Sequence, residues 1–167
     1  MDSSPMTAAF RRFTVADLDG LSAKARSESR RRAHLNVHPT LEDPVQRLFI
    51  ALEPGTYIRP HRHPEPDKWE LFVLINGAVD ALLLDDDGNP IDRTRMSADA
   101  GARAVEIPPN TWHTYVCLEP DTTVLEVKRG PYIPTTEDDF APWSPHDDPV
   151  AVAAYLDWLG AARAPGD

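Results

Sequence analysis

A chain of 167 residues with a formal charge of -10, 41% hydrophobic and 26% charged residues is long enough for one domain with a full core and too short for two ordinary ones. The acidity argues against nucleic acid or an anionic membrane as the main partner, because both need a cationic face, and no apolar run approaches the about twenty residues that span a bilayer. A lone cysteine, Cys117, forbids an intrachain disulfide and suits a reducing compartment. With no apolar core of signal-peptide length near the first residue, a cytoplasmic location is expected.

Residues 1–12 have no periodic pattern and are expected to fray. From Thr14, an N-cap type, the chain reads as a helix with Asp17 in its first turn and Leu18, Leu21 and Ala25 at helical spacing. Arg30, Arg31 and Arg32 read as its basic C-terminal end, where cations favour the dipole. The stretch from there to Pro44, containing Asn36 and His38, is expected to be irregular. Eight short apolar runs follow as candidate strands: Val45–Glu53, Thr56–Arg59, Trp69–Ile75, Ala78–Leu84, Ile91–Arg95, Arg103–Ile107, Thr111–Leu118 and Thr122–Arg129. Their connections, LING, DDDGNP and LEPD, carry turn chemistry. The acidic turn at Asp85–Gly88 is read as a hairpin rather than a calcium loop, since an EF-hand needs glycine at position six and glutamate at twelve, where this chain has Pro90 and Met96. Regular short strands of this kind predict an all-β sandwich or barrel.

After Gly130 a Pro- and acid-rich segment carries Tyr132, Phe140 and Trp143, which predicts a strap over the sheets rather than a free tail. A short helix is expected over Pro149–Gly160, burying Val150, Ala154, Tyr155 and Trp158, with residues 161–167 disordered. The organisation read from this is a helix and irregular lid (1–44), a barrel (45–130) and a strap with a helix packing on it (131–167), within a single domain. Several runs are apolar on both faces, which favours a homodimer; light scattering that showed only monomer would refute it.

The chemistry concentrates between Gly55 and Gly77. His61 and His63 are two residues apart, so on an extended chain both imidazoles project to one side. Glu70 opens the next apolar run, and His113 sits in PPNTWH at the start of another. Three imidazole nitrogens and one carboxylate suit a first-row divalent metal, and Fe(II), Mn(II), Ni(II) and Zn(II) all accept such a set.

Gly55, His61, His63, Glu70 and Gly77 resemble the first cupin motif, and Gly101, Pro108, Asn110 and His113 resemble the second, with Asn110 where glycine is usual and Cys117 where asparagine is common. The longer gap between His63 and Glu70 is similar to that of the WbuC family of cupin-fold metalloproteins. DPVQRL, EPGTYIRPHRH, DKWELFV, EIPPNTWHTYV, LEVKRGPY, FAPWSP and the earlier RRR and NVH segments also resemble that family. The resemblance implies an all-β cupin fold, a jelly-roll-like double-stranded β-barrel, with an N-terminal helix and a short C-terminal helix. It implies one divalent transition metal held by His61, His63, Glu70 and His113, and a lid carrying Asn36 and His38.

Around that centre, His38, Lys68 and Glu106 are candidates for acid, base or proton-transfer work. Asn36, Arg47, Tyr57, Arg59, Trp112, Glu126, Lys128 and Tyr132 are candidates for substrate binding. The arginines either clasp a carboxylate or phosphate or make outer-face ion pairs. Glu126 and Lys128 share a strand face, inward or outward. The expected function is a metal-dependent enzyme acting on a small polar metabolite, and the resemblance to the WbuC family implies a link to surface-polysaccharide or nucleotide-sugar metabolism. Isomerisation or epimerisation and dioxygenase-type cleavage both fit the ligand set, and a non-catalytic metal-stabilised sensor or scaffold is the alternative.

Overall fold

A computed structural model describes residues 10–99 and 101–165 of the chain. The expectations of fraying and disorder fall partly outside these, on residues 1–9 and 166–167. Within them, the chain after the last helix is packed as far as Ala164, which is buried.

The first helix, α1 (Val15–Ser27), starts where Thr14 and Asp17 close a capping box. The Asp17 amide donates to Thr14 Oγ1 at 3.3 Å and the Thr14 amide donates to Asp17 Oδ2 at 2.7 Å, satisfying two donors that a helix start leaves open. The helix ends at Glu28, short of the arginines assigned to it, and its last turn carries Lys24 and Arg26 instead. Arg32 opens a strand, β1 (Arg32–Asn36), in the stretch expected to be irregular. The correction has a simple cause: Ala33 and Leu35 alternate with polar residues at strand period, and β2 (Val45–Leu52) offers a full antiparallel partner.

Seven of the expected strands are found: β2, β3 (Glu70–Asn76), β4 (Ala78–Leu84), β5 (Pro90–Ser97), β6 (Ala104–Ile107), β7 (Trp112–Cys117) and β8 (Thr122–Arg129). The expected strand at Thr56–Arg59 is not. That run lies outside any ladder, and its carbonyls are taken by side chains, Tyr57 O by Arg32 Nη1 at 2.6 Å and Ile58 O by Thr114 Oγ1. The Asp85–Gly88 turn does join β4 to β5, with the Gly88 amide on Asp85 O at 3.1 Å.

The strands form two antiparallel sheets, β1-β2-β8-β3-β6 and β5-β4-β7. Ile50, Leu52, Phe72, Leu74, Val79, Met96, Tyr115 and Val124 fill the space between them. At the bend from β3 to β4, Gly77 has φ +80°, and a Cβ there would lie 2.8 Å from Thr122 Cα, so only glycine fits this close approach. The two sheets do not close into the barrel expected from sequence. The free edge of β7 meets the proline-rich run around His61 and makes a single bridge, His61 to His113, because prolines on either side of that run cannot donate to a ladder.

Leu21 and Ala25 of α1 pack on Ala33 and Ala51, covering the outer face of the larger sheet. Beyond Gly130 the strap lies along the His61 run, with the Ala141 amide on Pro60 O and the Arg62 amide on Asp139 O, each at 2.9 Å. The second helix, α2 (Pro149–Ala161), is capped by Asp148. Its buried stripe differs from the expected one. Leu159 is fully buried and Val152, Tyr155 and Leu156 are half-buried beside it, while Val150 is 78% exposed and Trp158 is 42% exposed. Arg93 donates to the Leu159, Gly160 and Ala162 carbonyls at the helix C-terminus. Among the described residues no helix is long and apolar enough to cross a membrane.

Candidate metal centre

Four side chains from three parts of the chain converge. Glu70 stands at the start of β3 in the larger sheet and His113 on β7 in the smaller, both almost wholly buried, at 2% and 1% exposure. His61 and His63 come from the irregular run between the sheets. One ligand atom from each of the four lies within 4.8 Å of the others.

The hydrogen bonds behind the rings set which nitrogen faces inward. His61 Nδ1 lies 3.0 Å from Arg59 O and His113 Nδ1 lies 2.9 Å from Thr111 O. A carbonyl only accepts, so in the neutral rings both Nδ1 atoms carry the proton and both Nε2 atoms present lone pairs to the centre. His113 Nε2 then faces Glu70 Oε2 at 3.1 Å, one acceptor against another. His63 Nε2 is buried 2.9 Å from Glu70 Oε1 and makes no hydrogen bond. Two atoms bound side by side to one ion at about 2.1 Å sit about 3.0 Å apart. The four residues therefore fit a divalent cation, which resolves contacts that are otherwise repulsive.

Lys128 fixes the carboxylate behind this set. Its Nζ lies 3.0 Å from Glu70 Oε1 and 2.8 Å from Glu126 Oε1. Burial would raise the Glu70 pKa, but the Lys128 charge outweighs it and holds the carboxyl well below its usual range. Burial, then the charge of Glu70, pushes the Glu126 pKa up. Burial works against the Lys128 charge, yet Glu126 and Glu70 together keep its pKa above the ordinary lysine value.

In the metal-free protein His61 is held neutral, its pKa lowered to about 3 by burial first and by His113 second. Between that value and the ordinary histidine value of about 6.5 the unfolded chain binds a proton that the folded chain refuses, so stability rises with pH across the window. Chelated protein is expected to lose stability progressively as pH falls from about 6.5 towards 3. The depressed Glu70 carboxyl adds a loss of the same sign below the ordinary glutamate value. Denaturant midpoints measured in excess chelator check this; a flat midpoint between pH 7 and 4 would refute it.

A cavity of about 680 Å³ opens beside the centre, lined by His61, Glu70, Phe72, Tyr115 and Glu126 at one end and Arg30, Arg32 and Tyr57 at the other. Of the substrate-binding candidates, Tyr57, Arg59, Glu126 and Tyr132 line it, with Lys128 behind Glu70 and Glu126. Glu126 and Lys128 thus face inward. Arg59 is already engaged, with Nε on Ser144 Oγ at 3.0 Å and Nη1 on Glu137 Oε1 at 2.7 Å.

The remaining candidates lie elsewhere. Asn36 and His38 share a separate open pocket with Arg11, and His38 Nδ1 sits against the Arg47 backbone. Arg47 pairs with Asp43 at 3.0 Å. The Lys68 amine is buried against Pro131 O at 3.5 Å. Glu106 is exposed on β6 and borders a small cavity of about 180 Å³ on the far side of His113. Trp112 is buried against Trp143, with its Nε1 on Asp86 Oδ1 at 2.9 Å. Sequence reasoning passed over Arg32 and Tyr115. Their signals were present: Arg32 and His34 have strand spacing, and Tyr115 follows His113 by two on the same face of β7.

The family described as Domain of unknown function (DUF6016) matches residues 13–96. Among solved structures the chain is similar to KdgF from Halomonas sp., at 22% identity and a TM-score of 0.47 over 64% of this chain and 82% of that one. It is similar to a cupin superfamily protein from Desulfitobacterium hafniense, at 10% identity and a TM-score of 0.48 over 65% and 86%. It is also similar to a variant of Bacillus subtilis oxalate decarboxylase, at 17% identity and a TM-score of 0.48 over 66% of this chain, which spans only 28% of that enzyme. No curated protein matches the chain.

Proposed function

Because the chain belongs to the family described as Domain of unknown function (DUF6016), whose description carries no activity, we propose its function from the metal centre: a metal-dependent enzyme acting on a small polar metabolite. The observation that carries this is the His113 Nε2 lone pair facing the Glu70 carboxylate at 3.1 Å, inside a cluster opening onto a cavity. His61, His63, Glu70 and His113 would hold a divalent ion, which would supply a Lewis acid and, where the ion takes five or six ligands, could accept a substrate oxygen as well. Lys128 keeps the Glu70 carboxylate oriented. Glu126, with one oxygen on Lys128 and its pKa raised by burial, is the carboxyl suited to carry a proton to or from a bound molecule. That pairing favours isomerisation or epimerisation over dioxygenase-type cleavage and over a non-catalytic sensor or scaffold. The resemblance of the motif segments to the WbuC family supports a role in surface-polysaccharide or nucleotide-sugar metabolism.

Elemental analysis of protein purified without chelator tests the reading, paired with melting curves against a metabolite panel. One equivalent of metal per chain is expected, with a melting shift from at least one metabolite that disappears after chelation. A thousandfold excess of ligand over its Kd contributes about 4 kcal/mol, a shift easily read. Absence of metal, or metabolite shifts indifferent to its removal, would sink the proposal.

A further inference from the structure

Resting on the metal-centre reading, we propose that the cavity takes a hydroxylated oxyanion of sugar size, with its oxygen-rich end between the metal, Tyr115 and Glu126 and its anionic group on Arg32 and Arg30.

Tyr115 is 3% exposed and its hydroxyl has no hydrogen-bond partner among the described residues. The ring is fixed by stacking on Phe72 at 3.9 Å and stands edge-on to His113 at 6.0 Å, so the hydroxyl cannot swing away to find one. A buried hydroxyl left unpaired costs free energy; Tyr115 lines the cavity next to the cluster, so a ligand oxygen that reaches the hydroxyl relieves that cost. On the facing sheet, Glu126 sits opposite Phe72 in the β3–β8 register, with Lys128 on one carboxylate oxygen. A donor and a carboxyl on either side of a metal site select a molecule that presents adjacent oxygens, as vicinal hydroxyls or a hydroxy-carbonyl group do.

The other end of the cavity has the opposite character. Arg32 spends Nη1 on Tyr57 O at 2.6 Å and is half-buried in the cavity wall, and the exposed Arg30 lines the same cavity. Two arginines lining one cavity, in a chain of net charge -10, are a local reversal of sign that selects a carboxylate or a phosphoryl group. Tyr57 is four residues from His61, and four residues of extended chain reach at most about 14 Å, so the two ends can be bridged by one or two sugar units.

The test is isothermal titration of the metal-loaded protein with glucose 6-phosphate, glucuronate, glucose and hexanoate, with metal content measured on every variant. At least one of the two charged sugars should bind ten times or more tighter than both glucose and hexanoate, and which one it is assigns the anion as phosphoryl or carboxylate. Arg32→Gln should weaken that sugar about tenfold and leave glucose unchanged, while Tyr115→Phe should weaken the charged sugar and glucose together by about fivefold. Charged sugars that bind no better than glucose or hexanoate, or variants that bind like the parent at full metal content, overturn the proposal. Wild-type protein that takes up no metal overturns the metal-centre reading instead, and the same titrations on that protein then judge the cavity by itself.

Discussion

Replacing His113 with alanine is expected to abolish stoichiometric metal binding and to lower the melting temperature of the metal-loaded protein to that of chelated wild type. His113 is the smaller sheet's sole contributor to the cluster, Glu70 comes from the larger sheet, and His61 and His63 come from the run between them. The two sheets share a core but no continuous ladder, so an ion at this point ties together edges that backbone hydrogen bonds leave apart. Loss of a hydrogen bond behind a metal ligand already costs ten- to a hundredfold in affinity, and loss of the ligand itself should cost more than about a hundredfold. His38→Ala is the matched control: it removes a buried histidine outside the cluster and should leave metal content unchanged. Metal analysis and melting curves with and without chelator check both variants. A His113→Ala protein that still carries one equivalent, or still melts lower when chelated, contradicts the assignment.

The four residues of the cluster were legible in sequence because each depends on local spacing. Two histidines at period two point the same way on any extended chain, ladder or not, so the His61 and His63 reading survives even though their surroundings are irregular. Glu70 and His113 open apolar runs that do become strands. What escaped reading depends on partners distant in sequence. Arg32 looked like a helix tail because three arginines in a row suit a C-terminus; only the availability of β2 as a partner turns it into an edge strand and brings its side chain to the cavity. Barrel closure is likewise a matter of whether two edges meet, which no local pattern records. The stripe of α2 was misplaced because local periodicity accepts Val152, Tyr155, Leu156 and Leu159 as readily as the expected residues; the C-terminal carbonyls of the docked helix meet Arg93, which belongs to a buried ion pair with Asp80 on the smaller sheet.

That ion pair carries the second large expected effect. Asp80 is wholly buried on β4 and receives Arg93 and Arg95 from β5, with Arg93 Nε and Arg95 Nη2 each 3.1 Å from Oδ2. Arg93 then reaches outward to cap α2, donating to Leu159 O and Ala162 O at 2.7 Å and to Gly160 O at 3.0 Å. Asp80→Ala leaves the Arg93 guanidinium, 6% exposed, without its counter-charge, and breaking a buried pair from one side costs about 3–5 kcal/mol. Arg95 is 53% exposed, so its share is small. For a domain of this size the loss corresponds to a fall of about 6–20 °C in melting temperature. Replacing both partners, Asp80→Leu with Arg93→Leu, should recover part of the loss, because a well-packed apolar pair avoids the stranded charge. The remainder is the lost cap on α2. Since Val152 of α2 lines the cavity and Tyr155 packs edge-on against Tyr57 at 6.2 Å, a helix without its cap should weaken metabolite binding while metal content stays at one equivalent. Urea denaturation of Asp80→Leu, Arg93→Leu and the double variant gives the coupling between the residues, and a coupling near zero would show that the carboxylate neither neutralises Arg93 nor orients it towards the helix.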